Sequence, residues 1–261
     1  MTTTTIRQGG VAERGAFKFS EARLSTGVRL RYAEQGSTEG QPVIFLHGYS
    51  DSWFSFSRVL PHFCNAYRLF ALDQRGHGDS EQPQGGYAVT DFADDVIAFM
   101  DAMNIKSAVV VGHSMGSLIA RHVAYAAPER VTKLVLVGAV ATLRNEAGFE
   151  LQAAVEALTD PVPATFAREF QESTVYQPLP ESFMERAVAE SLKLPARVWR
   201  EIMRGMMEAD DAAQLGNISA PTLLLWGERD AFFLRDQQEA LVRAIPNARL
   251  KVYEETGHAL H

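Results

Sequence analysis

The chain has 261 residues, 46% of them hydrophobic and 22% charged, the profile of a soluble globular protein able to bury one large core; one domain with an insertion is expected. A formal net charge of −7 argues against partners held by neutralising phosphates over a basic surface, so no nucleic acid is expected. No run is long and apolar enough to span a bilayer and the first residues lack a signal peptide's apolar stretch, so a cytoplasmic protein without membrane contact is expected.

After the threonines Thr2 to Thr5, which read as disordered, two alternating stretches at 17–24 and 28–34 flank Ser25-Thr26-Gly27 and predict an antiparallel hairpin at a sheet edge. Short apolar runs rich in β-branched residues follow at 43–46, 68–72, 108–111, 134–137, 222–226 and 249–253, and most read as strands buried on both faces. Between them lie segments with helical spacing. Phe92, Val96, Phe99, Met100 and Met103 share one face after an acidic start at Asp91 and Asp94. Alternating strands and helices imply a mostly parallel sheet with helices on both faces. From 139 to 217 the alternation stops. That stretch is helical, broken by Pro161, Pro163, Pro178, Pro180 and Pro195, and its apolar positions include Phe149, Leu151, Phe166, Phe170, Phe183, Trp199, Met203, Met206 and Met207. We read 139–217 as a helical cap inserted into a core formed by 1–138 and 218–261. Cys64, the single cysteine, permits no intrachain disulfide and reads as a small buried apolar residue.

The motif with most chemical content is Gly112-His113-Ser114-Met115-Gly116, placed directly after the strand at 108–111 and directly before a helical run at 118–127. A serine forced into so tight a strand-to-helix turn is lifted above the sheet, and the strained backbone leaves no room for side chains two residues to either side. The turn also sets Ser114 at the positive end of a helix, where N–H groups favour the anion that develops in acyl transfer. His47-Gly48-Tyr49-Ser50 follows the strand at 43–46; alone it reads equally as a β-turn, but beside the serine turn it can aim a backbone N–H at the same spot. The N–H groups of Tyr49 and Met115 are the candidate oxyanion donors.

A serine hydroxyl needs a base, and a histidine suits the task. Of seven histidines, His258 in Thr256-Gly257-His258 lies just after the strand at 249–253, at the same carboxyl edge of the sheet. His261 is the rival, and a His258/His261 metal pair has the spacing but no third ligand. His47, His77 and His113 sit beside glycines in turn motifs, and His62 and His122 in predicted helices; structural roles are expected for all five. The orienting acid is sought in Trp226-Gly227-Glu228-Arg229-Asp230, after the strand at 222–226. Asp230 is the candidate and Glu228 the rival, a helix-capping carboxylate being the other reading of either. The three candidates stand in the chain order Ser114, Asp230, His258, each at the carboxyl end of a different strand.

Through His47-Gly48, the run Asp73-Gln74-Arg75-Gly76-His77-Gly78-Asp79-Ser80, Gly112 to Gly116, Gly227 to Asp230 and Gly257-His258, nearly the whole chain resembles the α/β-hydrolase superfamily, in its capped bacterial esterase-like branch. The resemblance implies a structural role for the Arg75 to Gly78 turn, with Asp73 holding loops below the nucleophile. Where epoxide hydrolases and haloalkane dehalogenases carry an aspartate nucleophile this chain has Ser114, which disfavours both activities. Two departures stand out. Ser117 replaces a glycine often found after the nucleophile turn, and three residues follow His258 where relatives continue with a terminal helix; a longer native chain, and uncovered apolar surface on the last strands, are therefore expected.

The sequence thus leads to an expected serine hydrolase acting on a small, largely apolar ester, with Trp53, Phe54, Trp199, Phe232 and Phe233 as candidate pocket walls and no cofactor or metal. A carbon–carbon bond hydrolase, a lactonase or a cofactor-free perhydrolase would use the same triad. A ligand sensor that signals through its cap to a protein partner would keep it with little turnover. The residues carry no signal of oligomeric state.

Overall fold

Two alternating segments, Lys18–Arg23 (β1) and Arg29–Gly36 (β2), pair antiparallel around Gly27, whose φ of +88° is a conformation that only glycine adopts freely. This is the expected edge hairpin, seen in a computed structural model that describes residues 17–261. The threonines Thr2 to Thr5 lie outside the described residues. Six further strands follow: Gln41–Leu46 (β3), Tyr67–Leu72 (β4), Ala108–His113 (β5), Val131–Val137 (β6), Thr222–Gly227 (β7) and Ala248–Tyr253 (β8). They join the hairpin in one sheet of order β1-β2-β4-β3-β5-β6-β7-β8, antiparallel across β2 and β4 and parallel from β4 to β8.

Register makes the site possible. Leu46 lies opposite Gly112, His113 opposite Val137, and Val137 opposite Leu225, so the carboxyl ends of β3, β5, β6 and β7 align and their loops meet along one edge.

Helices α1 (Val89–Ala102) and α2 (Met115–Ala126) follow β4 and β5. Four helices, α3 (Glu146–Glu156), α4 (Ala164–Ser173), α5 (Glu181–Ser191) and α6 (Ala196–Glu208), lie between β6 and β7, and α7 (Arg235–Ala244) leads from β7 to β8. The stripe on α1 does what its spacing predicts. Phe92, Val96, Phe99 and Met100 are buried, each worth on the order of 2 kcal/mol of transfer free energy, while Asp91 accepts the Ala88 N–H at 2.8 Å and closes the first turn. Side chains of α1, α2 and α7 pack with Ile44, Phe70, Val110, Leu134 and Leu224 on one face of the sheet, and the core continues without a break into Trp199, Ile202 and Met203 of α6. The other face, carrying Val43, Phe45, Leu69, Val111 and Val137, is covered by Phe56 and Leu60 from short 3₁₀ turns at Trp53–Phe56 and Leu60–His62.

The double burial read for most strands does not extend to the last ones, where the expected uncovered apolar surface is present: β8 alternates between half-buried and exposed positions, Leu223 and Tyr253 are exposed, and a groove of about 410 Å³ runs beside Val109, Val135 and Leu225. Parallel strands are covered twice only where an element crosses each face, and no described helix crosses this one. Cys64, expected to be buried, is exposed, because it sits in the loop between the second 3₁₀ turn and β4 rather than in a strand.

Candidate active site

Ser114 makes the turn from β5 into α2 alone, with φ +51° and ψ −118°, a region that L-residues rarely occupy. Its N–H donates to the Val137 carbonyl at 2.9 Å and its carbonyl accepts from the Ser117 N–H at 2.7 Å, which holds the strained conformation. A Cβ on Gly112 would overlap the Gly116 carbonyl, and one on Gly116 the Leu46 carbonyl, so both flanking positions require glycine. Ser117, standing where the resemblance leads one to expect a third glycine, has work of its own: its Oγ accepts the Val140 N–H at 3.0 Å. Arg121, one helical turn further and fully buried, donates to the Val140 carbonyl and pairs with both carboxylate oxygens of Asp211 at 2.8 and 2.9 Å. The loop after β6 is thereby tied to the helix that begins at the serine.

The loop after β7 brings Asp230 to the same edge. Oδ2 lies 2.8 Å from Nδ1 of His258, while Oδ1 accepts the N–H groups of Phe232 and Phe233 at 2.8 and 3.1 Å. One carboxylate oxygen thus faces the histidine and the other caps the turn that follows. Glu228 lies elsewhere, within ion-pair reach of Arg229 at 4.0 Å. The His258 ring is buried between Phe232 and Phe233, each 5.3 Å away between centroids. Its backbone is held too, by the His113 Nε2–H on its carbonyl at 3.3 Å and, one residue on, by the Ala259 N–H on the Thr174 carbonyl at 2.8 Å. Ser114 and His258 border one cavity without a direct hydrogen bond between their side chains.

The loop after β3 passes over the N-terminus of α2. Neither the Tyr49 nor the Met115 N–H has a protein acceptor among the described residues, and Met115 is the first residue of α2, where the helix leaves its amides free. Strain recurs at Ser50, with φ +59°. The two turn histidines hold this loop as neutral rings: His47 accepts the Gln74 N–H on Nε2 and donates Nδ1–H to the Gly48 carbonyl, and His77 accepts the Ser50 N–H on Nε2 and donates Nδ1–H to the Arg75 carbonyl. Burial keeps them uncharged, lowering His47 well below the usual imidazole range and His77 to about 4. Asp73, as the resemblance implies, accepts the Trp53 and Asp79 N–H groups, and burial pushes its carboxyl up to about 7. His261, the rival base, packs 4.3 Å from the His113 ring and 4.8 Å from Phe56.

The Ser114 cavity is small, about 40 Å³, and mostly apolar, walled by Val140, Leu143, Leu151, Phe170, Met206, Phe232 and Phe233. Three aromatic candidates do not reach it. Trp53 packs edge-on against Phe17 and Phe19, Phe54 stacks on Phe183 outside the cavity, and Trp199 is wholly buried behind Tyr49, whose hydroxyl donates to the Trp199 carbonyl at 2.7 Å. Asp51 and Thr174 also line the cavity and went unnoticed in the sequence. For Asp51 a signal existed, an acid two residues beyond Tyr49; Thr174, in the loop after α4, gives none. Burial pushes the Asp51 carboxyl up to about 6, against the Gln171 amide that donates to it at 3.0 Å. Among the described residues no group of three or more histidine, cysteine or acidic side chains is placed to hold a metal ion, and no helix is long and apolar enough to cross a membrane.

An eight-stranded, mostly parallel sheet with a strained serine between strand and helix defines a class, and residues 41–261 match the family model of the alpha/beta hydrolase fold; the chain belongs to that family. Among curated relatives it is 31% identical to a non-heme chloroperoxidase of Streptomyces lividans, over 90% of this chain and 91% of that one, and 26% identical to 3-oxoadipate enol-lactonase 2 of Acinetobacter baylyi, over 91% and 90%. Among solved structures it is similar to an esterase from Exiguobacterium antarcticum, with a TM-score of 0.81 and 25% identity over 92% of both chains.

Proposed function

We propose that this chain is a serine hydrolase that cleaves a carboxylic ester of a small, largely apolar substrate through an acyl-enzyme. One observation carries the reading: the strained Ser114 and the buried His258–Asp230 pair open onto the same apolar cavity at the N-terminus of α2. Ser114 Oγ attacks the ester carbonyl while His258 Nε2 takes its proton, and Asp230 holds the imidazole in the tautomer with Nδ1 protonated and stabilises the imidazolium. The oxyanion accepts from the Tyr49 and Met115 N–H groups. Collapse breaks the carbon–oxygen bond to the leaving alcohol, which receives the proton from His258; water, deprotonated by the same histidine, then releases the acid and restores Ser114. Every group in this sequence is a side chain or backbone amide of the chain. In this reading 139–217 act as a cap on the core, with Phe232 and Phe233 from the core and Phe170 and Met206 from the cap as pocket walls.

The test is hydrolysis of short p-nitrophenyl esters by the wild type and by Ser114→Ala. Turnover that disappears in the variant, with an unchanged circular dichroism spectrum, supports the reading; equal turnover in both contradicts it.

The relatives named non-heme chloroperoxidase and haloperoxidase support a second reading. If hydrogen peroxide instead of water attacks the acyl-enzyme, the product is a peracid, which oxidises halide in solution. Halide oxidation that requires acetate, peroxide and Ser114 together would establish it.

A further inference from the structure

The cavity at Ser114 is too small for the ester assigned to it. At about 40 Å³ it admits roughly three water-sized spheres, enough for an acetyl group and little more. Beyond one of its walls lies a second compartment of about 50 Å³, and beyond that a surface groove of about 400 Å³. The three are consecutive. Asp51 and Thr174 line both the first and the second, and Arg58, Val175 and Leu179 line both the second and the groove.

The wall between the first two spaces is polar. Gln171, buried in α4, donates from its side-chain amide nitrogen to Asp51 Oδ1 at 3.0 Å and to Ser191 Oγ at 2.9 Å, and its backbone carbonyl accepts the Thr174 hydroxyl at 2.7 Å. Beyond it the lining is mixed: Phe54 stacks on Phe183 at 4.8 Å, with Leu179, Met184 and Ala187 beside them, while Ser52, Ser55, Glu190 and His261 also border the space. The two rings carry guanidinium groups, Arg186 at 5.7 Å from Phe54 and Arg58 at 5.8 Å from Phe183.

We propose that the compartment beyond the Asp51–Gln171 hydrogen bond is a second binding site, which takes the longer apolar arm of the ester, and that the Gln171 side chain is the partition that yields to admit it. The inference rests on the hydrolase reading for what happens at Ser114, but not for the binding itself. A long arm that displaces the Gln171 amide leaves Ser191 and Asp51 as polar neighbours at the waist and lies along the Phe54–Phe183 pair. Short esters need none of this. The arm is therefore a specificity determinant, and Gln171 and Asp51 are positioning residues that touch the arm and not the scissile bond.

Ala187, half-buried on α5, is the position at which to fill the compartment. Binding of p-nitrophenyl octanoate and p-nitrophenyl acetate is measured by calorimetry on Ser114→Ala and on Ser114→Ala/Ala187→Trp. The octanoate-to-acetate affinity ratio is expected to fall about tenfold or more in the double variant. A ratio that stays the same overturns the proposal. If Ala187→Trp fails to fold, Leu179→Trp closes the same space from the loop before α5 and is read identically. Turnover of p-nitrophenyl acetate by the wild type is measured alongside. Absent turnover with octanoate binding that responds to Ala187→Trp strikes the hydrolase reading and leaves the compartment; Ser114-dependent turnover with an unresponsive ratio strikes the compartment alone.

Discussion

Asp230 performs two tasks on two oxygens, and substitutions can separate them. In Asp230→Asn the amide oxygen can still accept the Phe232 and Phe233 N–H groups, but its amide nitrogen presents a donor to His258 Nδ1 and favours the wrong tautomer. Its kcat is expected to fall by roughly four orders of magnitude with a melting temperature close to wild type, whereas Asp230→Ala should lose stability as well. Steady-state kinetics and thermal melts on both variants check this; a cool-melting Asn variant, or an active one, would contradict the division. Ser114 offers a second residue-scale test. Its φ of +51° costs on the order of 1–3 kcal/mol, a strain that glycine does not bear. Ser114→Gly should therefore be inactive yet more stable than Ser114→Ala in urea denaturation, and equal midpoints would show that the turn is unstrained.

Among the elements, the link between α2 and the loop after β6 is the least replaceable. Removing Arg121 leaves the Val140 carbonyl and the Asp211 carboxylate without their partner, and Arg121→Met is expected to cost about 3 kcal/mol or more, read as a lower urea midpoint. Because Val140 lines the Ser114 cavity, the same variant should raise KM for short esters. The elements that place the site were legible for a physical reason: doubly covered parallel strands read as β-branched runs, and a serine between two glycines at a strand end has few conformations open to it. What hides is anything decided by docking. Thr174 reaches the cavity only because α4 packs where it does, and nothing in its neighbourhood in the sequence says so. Trp53, Phe54 and Trp199 were chosen as large aromatics near the right loops, but Trp199 found Tyr49, Phe166 and Phe170 to bury against and never faces the cavity. The half-open face of β6 to β8 was equally illegible in the strands themselves, since Leu223 and Leu225 read the same whether or not anything covers them.

At the scale of the molecule, buried histidines make stability depend on pH. His77 has a folded pKa of about 4 against 6.5 in an unfolded chain. Above pH 6.5 it is neutral in both states and contributes nothing; between 6.5 and 4 the unfolded chain takes a proton that the fold refuses, so stability falls by on the order of 3 kcal/mol. His47 and His113, also lowered by burial, act in the same sense. Asp73 and Asp51, raised to about 7 and about 6, act oppositely: the fold takes their protons first, which adds stability as pH falls through those values toward 3.8. His77→Gln removes one histidine from this balance, and its stability relative to wild type should improve steadily from pH 6.5 to 4; parallel curves would show that His77 does not titrate on unfolding.

The central claim is that Ser114 is a nucleophile activated by His258. It is tested most directly by treating the protein with diethyl p-nitrophenyl phosphate and locating the adduct by peptide mass spectrometry. The account predicts one diethylphosphoryl group, on Ser114, formed with stoichiometric release of p-nitrophenol and absent from Ser114→Ala and His258→Ala. No adduct on a folded protein, or an adduct that forms equally well in the His258→Ala variant, would contradict it.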